Sequence, residues 1–305
     1  MERAVFIPNI EYFEMFRTNS INDLIHRVNL NNKKFIQICQ ALCAQKFDRI
    51  YFGNEFCDEL LVSAEEAKTV YNYCCEGKMK FTLVTPYMSD GKLPRLESLL
   101  EELNRIHDDA IEVVCNDWGT CSLINEKYHN LKIVVGRLLD KMSKDARFAQ
   151  SDYESMYDAK ALEYLQCSNI STESYKKILD QLHVQSVEID CPPQGVKLGQ
   201  VDMNVNLYAP FGFITTGRMC MMRFLSQNGE KKYSLETACA KGCQKYDQNM
   251  IKSNHCKREN HFYSVEKCKL YRKGNTVFYL SENYEDIIRN NQSVERLIVE
   301  PCIPF

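Results

Sequence analysis

No run of about 18 apolar residues occurs anywhere in the 305-residue chain, which excludes a hydrophobic membrane-spanning helix. A bias toward one sign of charge is missing too. Lys and Arg number 38 against 41 Asp and Glu, for a net charge of -3, so the overall electrostatics carry no strong nucleic-acid signature and no pull toward an anionic membrane. The opening stretch MERAVFIPNI has no basic n-region, no long apolar h-region and no small-residue cleavage site, so no signal peptide is expected and the expected compartment is the cytoplasm. Nothing like G-x-G-x-x-G or a Walker loop follows an apolar run, which weakens an open nucleotide-binding sheet. G-x-S-x-G, H-E-x-x-H and Cys/His protease signatures are absent as well, which counts against a conventional peptidase. With 45% hydrophobic and 26% charged residues, disordered, collagen-like and coiled-coil classes fall away and a folded globular protein remains.

What the chain has in excess is cysteine, at 15 residues. An odd number of thiols scattered through apolar runs in a chain of this length does not resemble the dense disulfide framework of a small secreted domain. Reduced thiols fit better.

Short apolar runs bounded by turn residues predict strands at 5–10, 49–53, 80–86, 111–117, 132–137, 186–191 and 205–210. Helical patterns follow most of them. Ser63 and Glu66 form a capping box ahead of a face made by Ala64, Ala67, Val70, Tyr71 and Cys74. Leu96, Leu99, Leu100, Leu103 and Ile106 repeat that face just after Pro94, and Tyr175, Ile178, Leu179 and Leu182 do so before Ser186. Strands alternating with such helices require crossover connections and a mostly parallel sheet. An eighth strand at 295–300 would close a (β/α)8 TIM-like barrel. Two segments break the rhythm. Residues 138–166 are long and charged, the pattern of a solvated helix pair or of a partner-facing insertion. Residues 217–291 carry five cysteines without a βα period, so the chain divides into a barrel (1–216), an inserted cysteine-bearing subdomain (217–291) and the last barrel strand with the C-terminus (292–305).

In such a barrel the reacting groups lie on loops past the carboxyl ends of strands. Cys57, Cys191, Cys220, Cys239, Cys243 and Cys302 all fall in or beyond such positions. Cys239 and Cys243 are spaced C-x3-C, which suits a turn placing two thiolates on one metal, and Arg218, Arg223, Lys241 and Lys245 surround them as cations or as a solvated basic surface. A rival set, Cys239, Cys243, Cys256 and Cys268 with His255 and His261 beside it, would make a structural zinc knot. Asp117 closes a predicted strand and is read either as an acid or base or as the cap of the next helix; Trp118 beside it walls a pocket or packs on the rim. Glu188 and Asp190 share one face, which in a barrel is the interior, and serve either proton chemistry or pairing with a lysine or arginine.

Thr216-Gly217-Arg218-Met219-Cys220, then Glu236-Thr237-Ala238-Cys239-Ala240-Lys241-Gly242-Cys243-Gln244-Lys245-Tyr246, resembles the cysteine signature of the peptidase U32 (collagenase-like) family, and Asn116-Asp117-Trp118-Gly119 resembles that family's turn after a barrel strand. Tyr51-Phe52-Gly53 followed by Cys57 is similar to the short iron-sulfur subunit of the pair that hydroxylates ubiquinone precursors without oxygen. Met219 is an extra residue relative to that pattern. The resemblance implies a [4Fe-4S] cluster held by Cys57, Cys220, Cys239 and Cys243, with Asp117, Arg218 and Glu188 as candidate catalytic residues. It further implies oxygen-independent hydroxylation of a small aromatic substrate or an RNA base, with a second U32-family subunit as partner. The alternatives are a collagenase-like peptidase, in which a carboxylate activates water, and a non-catalytic barrel with a structural zinc site. Whether Cys191, Cys256 or Cys302 replaces one of the four ligands stays open at this stage.

Overall fold

The computed structural model describes residues 1–28, 33–149, 154–199, 201–225, 239–244, 248–249 and 270–305. The chain opens with β1 (Glu2–Ile7), α1 (Ile10–Thr18), α2 (Ile21–Val28) and α3 (Lys33–Cys43). It continues as β2 (Arg49–Gly53), α4 (Ala64–Glu76), β3 (Lys80–Val84), α5 (Leu93–Asn104), β4 (Glu112–Cys115), α6 (Trp118–Lys127) and β5 (Lys132–Val135). After a long connection come α7 (Ala159–Leu165), α8 (Glu173–Gln181), β6 (Ser186–Ile189) and β7 (Asn204–Ala209). The excursion holds β8 (Phe211–Thr216), α9 (Met221–Leu225), β9 (Gln248–Asn249), β10 (Leu270–Lys273) and β11 (Thr276–Leu280), and α10 (Tyr284–Asn290) leads into β12 (Val294–Val299).

The strands run β1-β12-β7-β6-β5-β4-β3-β2 and close on themselves, every neighbouring pair parallel. This is the (β/α)8 barrel that the spacing of apolar runs predicts. Strands buried on both faces are apolar nearly throughout, which is why β2, β4 and β5 read as runs that are apolar after a polar first residue, whereas β6 alternates Ser186 and Glu188 with Val187 and Ile189. Their residues sort onto two layers. Ala4, Phe6, Tyr51, Val84, Val114, Val134, Tyr208 and Ile298 fill the lumen, while the alternate positions pack outward against the helices.

The helices begin where the capping chemistry places them. Ser63 Oγ accepts from the Glu66 amide at 3.2 Å and Glu66 Oε2 accepts from the Ser63 amide at 2.7 Å, a complete capping box. In α5 the buried face is Leu96, Leu99, Leu100 and Leu103, as its period requires. In α8, Tyr175 and Leu179 are buried but Ile178, read as part of that face, is 40% exposed. Residues 138–166 do not form a helix pair: among the described residues the segment holds one helix, α7, reached through a loop and two short 3-10 turns.

A second, four-stranded sheet, β8-β11-β10-β9, branches off after β7. Its first strand comes from residues ahead of the 217 boundary, because the apolar stretch Phe211–Thr216 continues β7 across a cis Ala209–Pro210 bond with no helical signal between them. The β10–β11 hairpin turns on Gly274-Asn275. Gly274 has φ +59°, and a Cβ there would meet the Phe305 ring at 2.2 Å, so only glycine serves. No described helix is long and apolar enough to cross a membrane.

Candidate functional site at the barrel mouth

At the carboxyl ends of the strands the fold gathers charge around one guanidinium. Arg137, just past β5, is fully buried, and the groups that meet it come from the ends of three other strands. Glu55, beyond β2, accepts from Arg137 Nη2 at 2.6 Å; Glu300, beyond β12, accepts from the same nitrogen at 2.6 Å; Asp190, beyond β6, accepts from Nη1 at 3.0 Å. The Phe211 carbonyl takes a further bond from Nη1 at 3.0 Å, and the guanidinium carbon lies 3.8 Å from the Tyr208 ring centroid. Lys144 adds a second cation, its ammonium 2.6 Å from Asp190. Carboxylates with no access to water persist only when paired in this manner. Burial raises the pKa of Glu55 against the opposing pull of Arg137, and burial together with the neighbouring carboxylates pushes Glu300 up to about 8.

Below this layer Glu188 faces into the lumen, its Oε2 accepting from the Tyr208 hydroxyl at 2.8 Å while Oε1 has no hydrogen-bond partner among the described residues. Burial, then the charge of Glu55, pushes its pKa up to about 8. The amino-terminal end is closed by a separate network in which Arg49 and Arg296 pair with Glu2 and Glu112. The lumen is a packed core, and reactive positions are confined to the carboxyl-end rim.

Cys57 reaches that rim through a loop with a defined shape. Gly53 ends β2 at φ +134°, where a Cβ would sit 2.1 Å from the Val84 carbonyl oxygen. Asn54 Oδ1 then accepts from the amides of both Phe56 and Cys57 at 3.0 Å, turning Glu55 inward to Arg137. Asn275, at the tip of the small sheet's hairpin, reaches across: its Nδ2 lies 2.7 Å from the Phe56 carbonyl, 3.1 Å from the Tyr87 hydroxyl and 2.5 Å from the Gly217 carbonyl. One amide therefore holds the Cys57 loop against the segment that leads to Cys220.

The thiols named from the sequence act on one another electrostatically. Burial pushes Cys57 up to about 12, a backbone bond at Glu59 opposes the rise, and Asp58, Cys243 and Cys239 add to it. Burial pushes Cys243 up to about 11, with Cys220 and Cys239 adding and Lys273 opposing. Cys220 and Cys243 are buried, while Cys57 and Cys239 are half-buried. Among the described residues no three His, Cys, Asp or Glu side chains stand in metal-binding geometry. The donor set itself suits iron and sulfide: four thiols, and a buried lysine, Lys273, acting on one of them. Cys302 acts on Cys39, and Cys191 lies beside Asp190 and Glu300. Cys256, Cys268, His255, His261 and Lys245, which bear on the zinc reading and the basic rim, lie outside the described residues.

The other sequence candidates separate. Asp117 caps α6: Oδ1 accepts from the Thr120 amide at 2.7 Å, and Oδ2 accepts from Thr120 Oγ1 at 2.9 Å and from the Met88 amide at 3.0 Å. Trp118 packs edge-on against Tyr175 on the rim. Arg218 is exposed and acts on Tyr87, which also feels Cys57. Glu188 lies in the lumen, and Asp190 takes the structural pairing with an arginine and a lysine. Arg137, Glu55, Glu300, Asn275 and Lys273 were not singled out from the sequence. The available signal was position, since Arg137 and Glu300 end predicted strands and Glu55 stands just past one.

Comparisons with protein-family models, curated proteins and solved structures find no match for this chain.

Proposed function

We propose that this chain is an iron-sulfur barrel protein of the peptidase U32 type, with Cys57, Cys220, Cys239 and Cys243 as ligands to a [4Fe-4S] cluster at the barrel mouth. It acts in oxygen-independent hydroxylation of an aromatic ring or nucleobase, alongside a second subunit of the same kind. The observation that carries the reading is the mutual electrostatic action of thiols from the β2 loop and from the excursion after β8. When bound, the cluster supplies one-electron chemistry that no side chain offers at such potentials. The chain's own residues do the rest. Asn54 and Asn275 fix the loop that carries Cys57, and Lys273 offsets the negative charge that thiolate ligands bring. Arg137 anchors the floor beneath, where Glu188 and Glu300 keep protons near neutral pH in a site closed to water.

The peptidase alternative needs Asp117, Glu188 or Asp190 to activate water; both oxygens of Asp117 are committed to Thr120 and the Met88 amide, Asp190 is paired with Arg137 and Lys144, and Glu188 is buried in the lumen. The deciding experiment is anaerobic purification with iron and sulfide analysis, absorption and electron paramagnetic resonance, on the wild type and on each single Cys→Ala variant. Brown protein with iron and sulfide in near-equal amounts, lost on replacing any of the four cysteines, is the expected result. Colourless protein carrying one zinc would overturn the reading.

A further inference from the structure

Beside the mouth lies a cleft of about 580 Å³ that none of the chemistry above uses, walled by the segment after β5, by the end of α7 with the turn beyond it, and by β8. That size is typical of small-molecule sites. Leu138, Leu165 and Phe213 form its apolar side. Two lysines border it. Lys144 is accounted for, with its ammonium on Asp190 and 3.7 Å from the Phe213 ring centroid. Lys141 is not: it donates to the Leu138 carbonyl at 2.6 Å and has no ion pair among the described residues, and burial plus the charge of Lys144 lowers its pKa.

The same cleft is bordered by an acid with half of its hydrogen-bonding capacity unused. Asp140 is 2% exposed and feels the charges of Lys144 and Lys141; Oδ1 accepts from Ser168 Oγ at 2.5 Å, whereas Oδ2 is buried with no hydrogen-bond partner among the described residues. Behind it Gln194 donates from Nε2 to the Ser143 carbonyl at 2.6 Å and to the Leu165 carbonyl at 3.3 Å, which fixes the spacing of two walls. A buried polar atom without a partner is costly and rare in native structures, so Asp140 Oδ2, on the lining of the cleft, points to a group that a ligand supplies.

We propose that this cleft binds a small zwitterion, an α-amino acid with an apolar or aromatic side chain. Asp140 takes the ammonium, Lys141 the carboxylate, and the side chain lies along Phe213, Leu138 and Leu165. A simple organic anion would leave Asp140 unanswered, and a simple amine would leave Lys141 so. No bond is made or broken, and the site does not depend on the four thiols, so it can be examined on metal-free protein.

The test is calorimetric titration of the full-length chain with L-phenylalanine and L-leucine, and with 3-phenylpropionate and phenethylamine, which each lack one of the two charges. Saturable binding of the amino acids is expected, with each single-charge analogue weaker by about ten-fold or more, the usual effect of deleting a charged hydrogen bond. Lys141→Met, at an exposed side chain, should cost phenylalanine about the same factor while leaving phenethylamine unaffected. Asp140→Asn should abolish the preference for phenylalanine over 3-phenylpropionate. Equal affinity of the wild type for phenylalanine and 3-phenylpropionate, or no saturable binding of either amino acid by folded wild-type chain, would overturn the proposal.

Discussion

Replacing Arg137 by Met removes the cation from a buried set of three carboxylates while keeping most of the side-chain volume. Breaking a buried ion pair by deleting one partner costs about 3–5 kcal/mol, because the survivor is left charged and unsolvated. Here Lys144 remains against Asp190 and Glu55, while Glu300 keeps its proton at pH 7, so the lower part of that range applies. Against a total stability of about 5–15 kcal/mol for a typical domain, this is a large share. Urea unfolding followed by circular dichroism measures it as a fall in midpoint at constant slope. Two controls separate charge from packing. The deficit should shrink as pH falls, since the orphaned acids then take up protons, and adding Glu55→Gln and Glu300→Gln to the Arg137→Met chain should recover much of it. A variant within about 1 kcal/mol of wild type at pH 7, where a deleted buried partner is expected to cost several times that, would refute the reasoning.

Further outcomes follow from the same geometry. Glu188 binds its proton more tightly folded, with a pKa of about 8 against an ordinary 4.5, so its contribution is complete below pH 4.5 and is lost as pH rises through 8. Glu188→Gln should therefore flatten the fall in melting temperature over that interval and leave the variant the more stable at pH 8. Glu2, held at about 2 by Arg49 and Arg296 against the opposing effect of burial, works the other way, with its contribution present above pH 4.5 and lost as pH falls to 2. Asn275→Ala should cost about 1–2 kcal/mol in unfolding experiments and speed alkylation of Cys57, because it releases the Phe56 carbonyl and the Gly217 segment together.

The barrel was legible because its strands are buried on both faces: runs such as Arg49–Gly53 and Lys132–Val135 carry their assignment in composition alone. Capping chemistry was equally plain at Ser63 and at Asp117, where the commoner structural role is the one observed. What composition could not show was destination. Phe211–Thr216 is as apolar as a barrel strand yet belongs to the second sheet, and Ile178 fits a buried face on period but is 40% exposed. Of the Arg137 cluster only the pairing of Asp190 with a lysine or arginine was anticipated, for a related reason. Its members are isolated polar residues in separate loops, and only closure of the ring brings them within 3 Å or so of one guanidinium. Asn275 sits in an ordinary-looking hairpin whose reach depends on how that hairpin folds back over the rim.

The shared guanidinium has an evolutionary corollary. Residues 55, 137, 190 and 300 form a single electrostatic unit spread over distant stretches of the gene, so drift at any one of them is harmful until the others compensate. Divergent versions of this protein should carry the quartet intact or have exchanged it wholesale for uncharged side chains, with intermediate combinations scarce.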